Sequence, residues 1–236
     1  MDLKYKIKRF FRNISIENLM TYIAASMAII FVGDLFTDGM MSSFLSFNRD
    51  AILQGQVWRL ITFLMLPQSS SPIWIVFSVY FYWLIGRGTE NQWGSHNLTM
   101  YFLTGAVLLI AVGFLTGYTN ASYLYFSLFL VYAHLNPYNR FMMFMIIPIE
   151  ARWMALIDAI FMAAEFVQAF RYYAYAPKIA AALQLSVAAA FVTYLIFFGK
   201  DHFGGIVNRI KHRDFYREMK QKKIKVTKNK DKNNEG

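Results

Sequence analysis

Six apolar segments, separated by more polar stretches, dominate the pattern of the chain. They cover about Leu19–Phe36, Pro72–Ile85, Leu98–Tyr118, Ala121–Leu135, Trp153–Phe170 and Ile179–Phe198. A straight helix needs about 20 residues to cross the hydrocarbon core, so the second and fourth segments are short. Short helices are tolerated where neighbouring helices shield them from lipid or where the bilayer thins. The pattern therefore predicts an all-α membrane protein, a bundle of six transmembrane helices with a short second and a short fourth helix.

Two further segments are neither continuous spans nor simple polar loops. Thr37–Ser71 mixes aromatic and polar residues, which makes it too apolar for a free loop and too interrupted for a helix in lipid. We predict a long first loop that lies in the outer membrane interface, with Trp58 at headgroup depth and Arg59 snorkelling. We expect Arg59 to anchor this loop to headgroups or carbonyls. We expect the second segment, Phe141–Ile149, to pack near the inner surface before the fifth helix begins.

The composition supports a membrane protein and excludes sites that depend on thiols. Apolar residues make up 57% of the 236-residue chain, whereas soluble domains contain roughly 45–50%. The sequence has no cysteine, so disulfide bonds and thiolate metal sites are impossible. We expect no metal ion and no cofactor.

Positive charge is concentrated at the two ends of the chain. Of the 24 Lys and Arg residues, five lie in residues 4–12 and twelve lie in residues 200–232. Basic ends favour the cytoplasmic side, and an even number of helices places both termini there. The Thr119-Asn120 turn then lies outside, and the turns Gly86–Asn97 and Asn136–Arg140 lie inside. Contact of the basic tail with anionic lipid headgroups accounts for the net charge of +10 without a nucleic-acid site.

The charge pattern divides the chain into three parts. We predict a basic N-terminal segment at residues 1–18, a membrane domain at 19–198 and a basic cytoplasmic tail at 199–236. The distal tail is expected to be disordered, while Ile206–Met219 can form a basic amphipathic helix on the membrane. The absence of cysteine and the Lys/Asn-rich tail favour a bacterial plasma membrane, with the endoplasmic reticulum as the eukaryotic alternative. The pattern leaves the oligomeric state open.

Three motifs resemble those of the rhomboid superfamily. "GQVWRLIT" contains Trp58 and Arg59 of a Trp-Arg element in the first loop, and "GRGTENQWGS" has the spacing G-x-x-x-E-x-x-x-G-S. The residues at that spacing are Gly86, Glu90, Gly94 and Ser95. The resemblance implies a six-helix bundle with a long first loop and a short fourth helix.

The third motif is most similar to derlins, the branch of the superfamily without protease activity. "LVYAHLNPYNRFMMF" contains Asn136, Pro137 and Arg140 in an Asn-Pro-Tyr-x-Arg turn. Proline cannot continue a helix, so the turn ends the fourth helix. We expect a structural role for these residues, and we also expect Glu90 to pair with Arg87 or Arg140 in a cytoplasmic network. The resemblance to derlins implies a protein that binds membrane-embedded clients and takes part in membrane-protein quality control.

The motif of an active rhomboid is altered around Ser122, the only candidate nucleophile. An active rhomboid has G-x-S-G at this place and a histidine on the sixth helix, because a serine needs a base at neutral pH. Here Asn120 and Tyr123 replace the two glycines, and Gln184 stands at the expected place of the histidine. Trp74 and Ser78 occupy the approximate places of the second-helix His and Asn that help to hold the oxyanion.

The four histidines of the chain do not supply the missing base. His96, His202 and His212 are predicted to be cytoplasmic, and His134 lies twelve residues after Ser122, about 18 Å along the helix. We therefore expect no catalytic residues. The alternative is an intramembrane serine protease that uses Ser122 with an atypical base, for which Lys178 is the candidate.

Two acidic residues in the fifth segment support a second alternative. Asp158 and Glu165 are seven residues apart and share a helix face. Acidic residues inside a membrane are rare, and relays for protons or cations use them. A small carrier or channel organised around this pair is therefore the remaining hypothesis, beside structural pairing of each acid with a neighbour.

Overall fold

The computed structural model describes residues 15–69, 71–143 and 147–211. The predictions for residues 1–14 and 212–236, including the disordered distal tail, lie outside the described residues. Six long helices are labelled α1 to α6: Leu19–Thr37, Pro72–Trp93, Ser95–Thr116, Ser122–Leu135, Ala151–Tyr172 and Pro177–Lys211. The chain forms two compact units, the first ending at Tyr194 and the second beginning at Leu195, within α6.

Four described helical stretches are long and apolar enough to cross a membrane. They are Leu19–Thr37, Ser95–Thr116, Ala151–Tyr172 and Pro177–Gly199. The other two long helices, α2 and α4, fall short for different reasons. Polar residues from Arg87 to Gln92 lower the hydropathy of α2, and α4 has 14 residues, which span only about 21 Å. The mostly helical membrane fold is confirmed, and the six-span count stays a prediction.

The prediction of a short second helix followed by a long turn was wrong. Helix α2 has 22 residues and continues to Trp93, and α3 begins two residues later at Ser95. Gly94 alone breaks the helix, with a φ of 85° that side chains with a Cβ rarely adopt. The polar residues from Gly86 onward extend α2 and do not form a loop, because side chains at its end bond to other segments.

The strictly all-α prediction was also wrong, because the segment between α4 and α5 forms a β-hairpin. Strand β1 (Arg140–Met143) pairs antiparallel with β2 (Ile147–Glu150), and Arg140 lies opposite Glu150. Isoleucine favours strands through its β-branch, and Pro148 is tolerated because an isolated pair has only edge strands.

The first loop folds back onto the helices as a series of short helices. These cover Met40–Leu45, Arg49–Leu53 and Arg59–Thr62, followed by a 3₁₀ turn at Phe63–Met65. Phe47 is buried, and its ring meets Phe63 and Phe114 edge-on at 5.6 and 5.9 Å between centroids. This anchor fixes the loop against α3.

Arg59 anchors the first loop to carbonyls, one of the two predicted anchors, and its side chain does not snorkel to the headgroups. The residue is 8% exposed, and its Nη1 donates to the carbonyl oxygens of Ser43 and Ser46 at 2.9 and 2.6 Å. Its Nε donates to Gln56 Oε1 at 2.7 Å. Arg59 binds backbone carbonyls inside the loop because the short helix at Met40–Leu45 ends with its carbonyls free to accept.

The short helix α4 lies at the centre of the first unit. It packs against α2, α3 and α5, and Tyr125, Leu128 and Val131 are at most 1% exposed. The neighbours that the sequence required to shield a short helix are therefore in place.

Candidate functional site

Ser122 is the first residue of α4 and is held by two amide side chains. Its hydroxyl donates to Oε1 of Gln68 in the first loop, and its backbone N–H donates to Asn120 Oδ1 at 3.2 Å. Gln68 Nε2 in turn donates to the carbonyl of Leu66 at 2.9 Å. A carboxamide accepts a hydrogen bond but does not take up a proton at neutral pH, so this partner does not activate the serine.

Tyr123 fills the space beside the serine with an aromatic ring. The side chain is buried in a cluster with Met162 of α5 and with Val187 and Ala190 of α6. The tyrosine ring at the start of α4 therefore packs against α5 and α6.

Gln184, at the place expected for a histidine, is hydrogen-bonded to α5 and to the loop that follows it. Its Nε2 donates to the carbonyl of Phe166 at 3.2 Å, and its Oε1 accepts from the Tyr173 hydroxyl at 2.8 Å. The residue of α6 that meets the segment before Ser122 is Ser186, whose Oγ lies 3.4 Å from Thr119 Oγ1. Residues two apart on a helix are about 200° apart around its axis, so Gln184 and Ser186 face different neighbours. Neither is a base.

The remaining candidate bases occupy other positions along the chain and its helices. His134 Nδ1 lies 3.4 Å from the Tyr194 hydroxyl, near the other end of α4. Lys178 is exposed in the first turn of α6, about 12 Å along the axis from Ser186. His96 is the second residue of α3. His202 belongs to the second unit, and His212 lies outside the described residues.

Trp74 and Ser78, at the second-helix places of the oxyanion-binding His and Asn, do not form a pair of donors for an oxyanion. The Ser78 hydroxyl donates to the carbonyl of Ile75 at 3.1 Å, inside its own helix. Trp74 is 55% exposed, with its ring 6.3 Å from that of Phe77. A serine bonded to its own backbone and an exposed indole do not form a preorganised donor pair.

The Gly-Glu-Gly-Ser motif joins the ends of three helices. Glu90 Oε1 accepts from the backbone N–H of Asn18 at 2.8 Å and from Ser95 Oγ at 2.5 Å. Asn18 precedes α1 and Ser95 opens α3, so one carboxylate at the end of α2 bonds to the starts of both neighbouring helices. The expected pairs of Glu90 with arginines were wrong: Arg87 stacks on the Trp83 ring at 5.4 Å, and Arg140 lies 3.9 Å from Glu150.

The Asn-Pro turn ends α4 and fastens it to the start of α5. Asn136 N–H donates to the carbonyl of Tyr132 at 2.8 Å, and Asn139 Nδ2 donates to the Tyr132 hydroxyl at 3.0 Å. The carbonyls of Pro137 and Asn139 accept from Arg152 and Ala151 at 3.2 and 2.8 Å. The turn therefore links the end of α4 to the start of α5.

A groove of about 750 Å³ opens between α2 and α5, with α4 as its floor. Aromatic and aliphatic side chains dominate its lining, including Trp74, Phe77, Phe126, Phe129 and Phe161. Asp158 of α5 also lines it. The pattern of the sequence did not predict this groove, because its walls come from segments about 80 residues apart.

The two acidic residues of α5 do not share a site. Asp158 lines the groove, whereas Glu165 is exposed and lies outside the groove lining. Among the residues that the structure describes, no group of three or more His, Cys, Asp or Glu could hold a metal ion.

Gln68 and Ser186 are the site residues that the sequence analysis missed. Gln68 lies 54 residues before Ser122 in a loop with no motif at that position, so no sequence signal identified it. Ser186 is two residues after Gln184 and therefore faces away from it on the helix. Only the packing of α6 shows which of the two faces meets α4.

Comparison with known proteins identifies the family. A search of curated proteins finds no significant match. The model of the Rhomboid domain matches residues 54–191, more than half of the chain. The match includes the Trp-Arg element, Glu90, Ser122, the Asn-Pro turn and Gln184, and the motifs of the sequence predicted it. The chain therefore belongs to the rhomboid superfamily and is a multi-pass membrane protein.

Proposed function

We propose that this protein binds membrane-embedded client helices in a derlin-like way and does not cleave them. The observation that carries the proposal is the hydrogen bond from the Ser122 hydroxyl to the Gln68 carboxamide. A nucleophilic serine donates to a base that can take its proton, and a carboxamide cannot do so. Tyr123, packed between α4 and α6, supports the same conclusion.

The groove between α2 and α5 supports the binding part of the proposal. A helix about 10 Å wide occupies about 120 Å³ per residue, so 750 Å³ accommodates about six residues, or one face of a helix over several turns. The apolar and aromatic lining matches the surface of a transmembrane helix. The proposal places this groove in the bilayer, with both termini cytoplasmic and the basic tail at the anionic headgroups.

The alternative functions receive less support from the geometry. A Ser122–Lys178 protease requires an exposed lysine at the mouth of α6 to reach a hydroxyl that is already bonded to Gln68. A carrier built on Asp158 and Glu165 requires both acids in one pathway, but only Asp158 lines the groove.

Photocrosslinking tests the groove as a client site, with a matched control on the same helix. Phe161 and Phe170 are both on α5 and are 66% and 60% exposed, but only Phe161 lines the groove. Each is replaced in turn by benzoylphenylalanine in the full chain, which is reconstituted with a biotinylated single-span leucine-rich peptide. We expect crosslinking from position 161 and much less from position 170. Equal crosslinking from both positions, or none from 161, would contradict the client site.

A fluorophosphonate probe tests the catalytic half of the proposal. The wild-type chain in membranes is expected to remain unlabelled, and Ser122→Ala should behave identically. Labelling of the wild type that is lost in Ser122→Ala would overturn the proposal in favour of the protease.

A further inference from the structure

One carboxyl oxygen of Asp158 has no hydrogen-bond partner among the described residues, in a groove lined mainly by apolar side chains. This oxygen, Oδ2, is buried. Buried polar atoms nearly always have a partner, and the cost of leaving one unpaired rises in apolar surroundings. The unpaired oxygen lies on a residue that lines the groove, so a bound molecule is in a position to supply the missing donor.

Other polar side chains line the groove, among them Ser78, Tyr82 and Tyr125, but none of them donates to Asp158 Oδ2. The hydroxyl of Ser78, which also lines the groove, donates to the carbonyl of Ile75 in its own helix at 3.1 Å. Of the α4 side chains in the groove, Phe126 and Phe129 have no hydrogen-bonding groups, and the Tyr125 hydroxyl donates to the carbonyl of Leu64. A donor for Asp158 is therefore best supplied by the occupant of the groove.

We propose that Asp158 selects client helices that carry a hydrogen-bond donor at its depth, such as an asparagine, serine or lysine side chain. This inference rests on the proposed function, because it names the class of helix that the groove prefers. Asp158 is the eighth residue of α5, about 10 Å along the axis from the end that follows the β-hairpin. A hydrogen-bond donor on the client helix is recognised when it lies at the depth of Asp158, where it can donate to Oδ2. Apolar helices leave the carboxyl unsatisfied and bind more weakly.

The preference is measurable without knowledge of the natural client. The full chain is reconstituted in liposomes with a leucine-rich single-span peptide that contains one asparagine, or with a matched peptide that has leucine instead. Because the chain has no cysteine, a single cysteine at the exposed Tyr138 carries the fluorescent donor for energy transfer to a labelled peptide. Moving the asparagine along the peptide maps the depth of the contact.

We expect the asparagine peptide to bind the wild-type chain about three- to thirtyfold more tightly than the leucine peptide. The ratio should fall to about one in Asp158→Leu and be largely retained in Asp158→Asn, whose amide oxygen still accepts. Glu165→Leu, on the same helix but outside the groove, should keep the wild-type ratio. Because each ratio is taken within one variant, a loss of folded protein affects both peptides equally.

The outcomes separate this inference from the function on which it rests. Equal binding of both peptides to the wild type, or a preference that persists in Asp158→Leu, overturns the role of Asp158 and leaves client binding intact. Equal binding is also the result if water satisfies the carboxyl. Failure of both peptides to bind the wild type overturns the client-binding function and this inference with it.

Discussion

Single charged residues in this protein connect segments that are distant in sequence. Arg59 bonds two carbonyls at the end of an earlier short helix, and its guanidinium lies 5.5 Å from the centre of the Phe44 ring. Glu90 joins the residue before α1 to the first residue of α3. Each bond pairs a charged group with a backbone or hydroxyl group, and such bonds are stronger than neutral ones. These two motif residues therefore connect segments of the scaffold around the site.

Replacing Arg59 by lysine tests this structural role. Lysine keeps the charge but lacks the planar fork that bonds Ser43, Ser46 and Gln56 together. We expect Arg59→Lys to lower the free energy of unfolding by about 1.5–3 kcal/mol, measured by denaturant titration in detergent. The control is Arg49→Lys, because the Arg49 side chain is more exposed and its ion-pair partner Asp50 is largely exposed. A similar effect of both substitutions would contradict a specific role for the buried guanidinium.

At the active-site position, the sequence identified the residues but not their contacts. The glycine replacements at Asn120 and Tyr123 and the glutamine at position 184 are visible in the sequence and predict the loss of a catalytic dyad. The bonds from Ser122 to Gln68 and from Gln184 to Phe166 are not visible there. They depend on how the first loop and α5 pack, which the local sequence does not specify.

At the scale of elements, α2 contacts α1 and α4 through glycines. A Cβ on Gly86 would overlap Met20 of α1, and a Cβ on Gly88 would overlap Tyr132 of α4. Small residues let helices approach closely in a membrane. The same glycines suggested a turn in the sequence, because glycine also favours turns. Packing against two neighbours keeps them helical.

A pair of glycine substitutions distinguishes close packing from helix propensity. Gly86→Ala forces Met20 to shift, and we expect a loss of about 1–3 kcal/mol in the free energy of unfolding. Gly199→Ala is the control, because the nearest atom to its new Cβ is Leu195 Cβ at 3.9 Å, an ordinary contact. Both changes gain similar helix propensity, so the difference in unfolding free energy, measured in the same detergent, reports the packing. Equal values for both variants would count against a tight α1–α2 contact.

For the whole molecule, the direction of insertion follows from the charge of the two ends and stays a prediction. Tyr118 precedes α4 and Tyr138 follows it, and they are 45% and 71% exposed. If α4 crosses the membrane as predicted, these residues lie on opposite sides. Tyr138 then shares the cytoplasmic side with both termini.

Single-cysteine labelling tests this orientation in the otherwise cysteine-free chain. Tyr118→Cys is expected to react with a membrane-impermeant maleimide in intact cells, because position 118 is predicted to face outward. Tyr138→Cys should react only after the membrane is permeabilised. The wild type, which has no thiol, serves as the blank. The opposite pattern of labelling would reverse the predicted topology.

The sequence by itself determined the membrane class and the superfamily, and it predicted the lack of a histidine that could serve as the base. These properties depend on the amino-acid composition, on the length and spacing of the apolar segments and on the residue types at the motif positions. All of these can be read directly from the sequence. Only the tertiary structure decided the length of α2, the hairpin before α5, the burial of Arg59 and the groove that contains Asp158. Each of these depends on contacts between segments far apart in the chain. Those contacts arise because buried polar groups must find partners and short helices must be shielded, wherever in the sequence the partners lie.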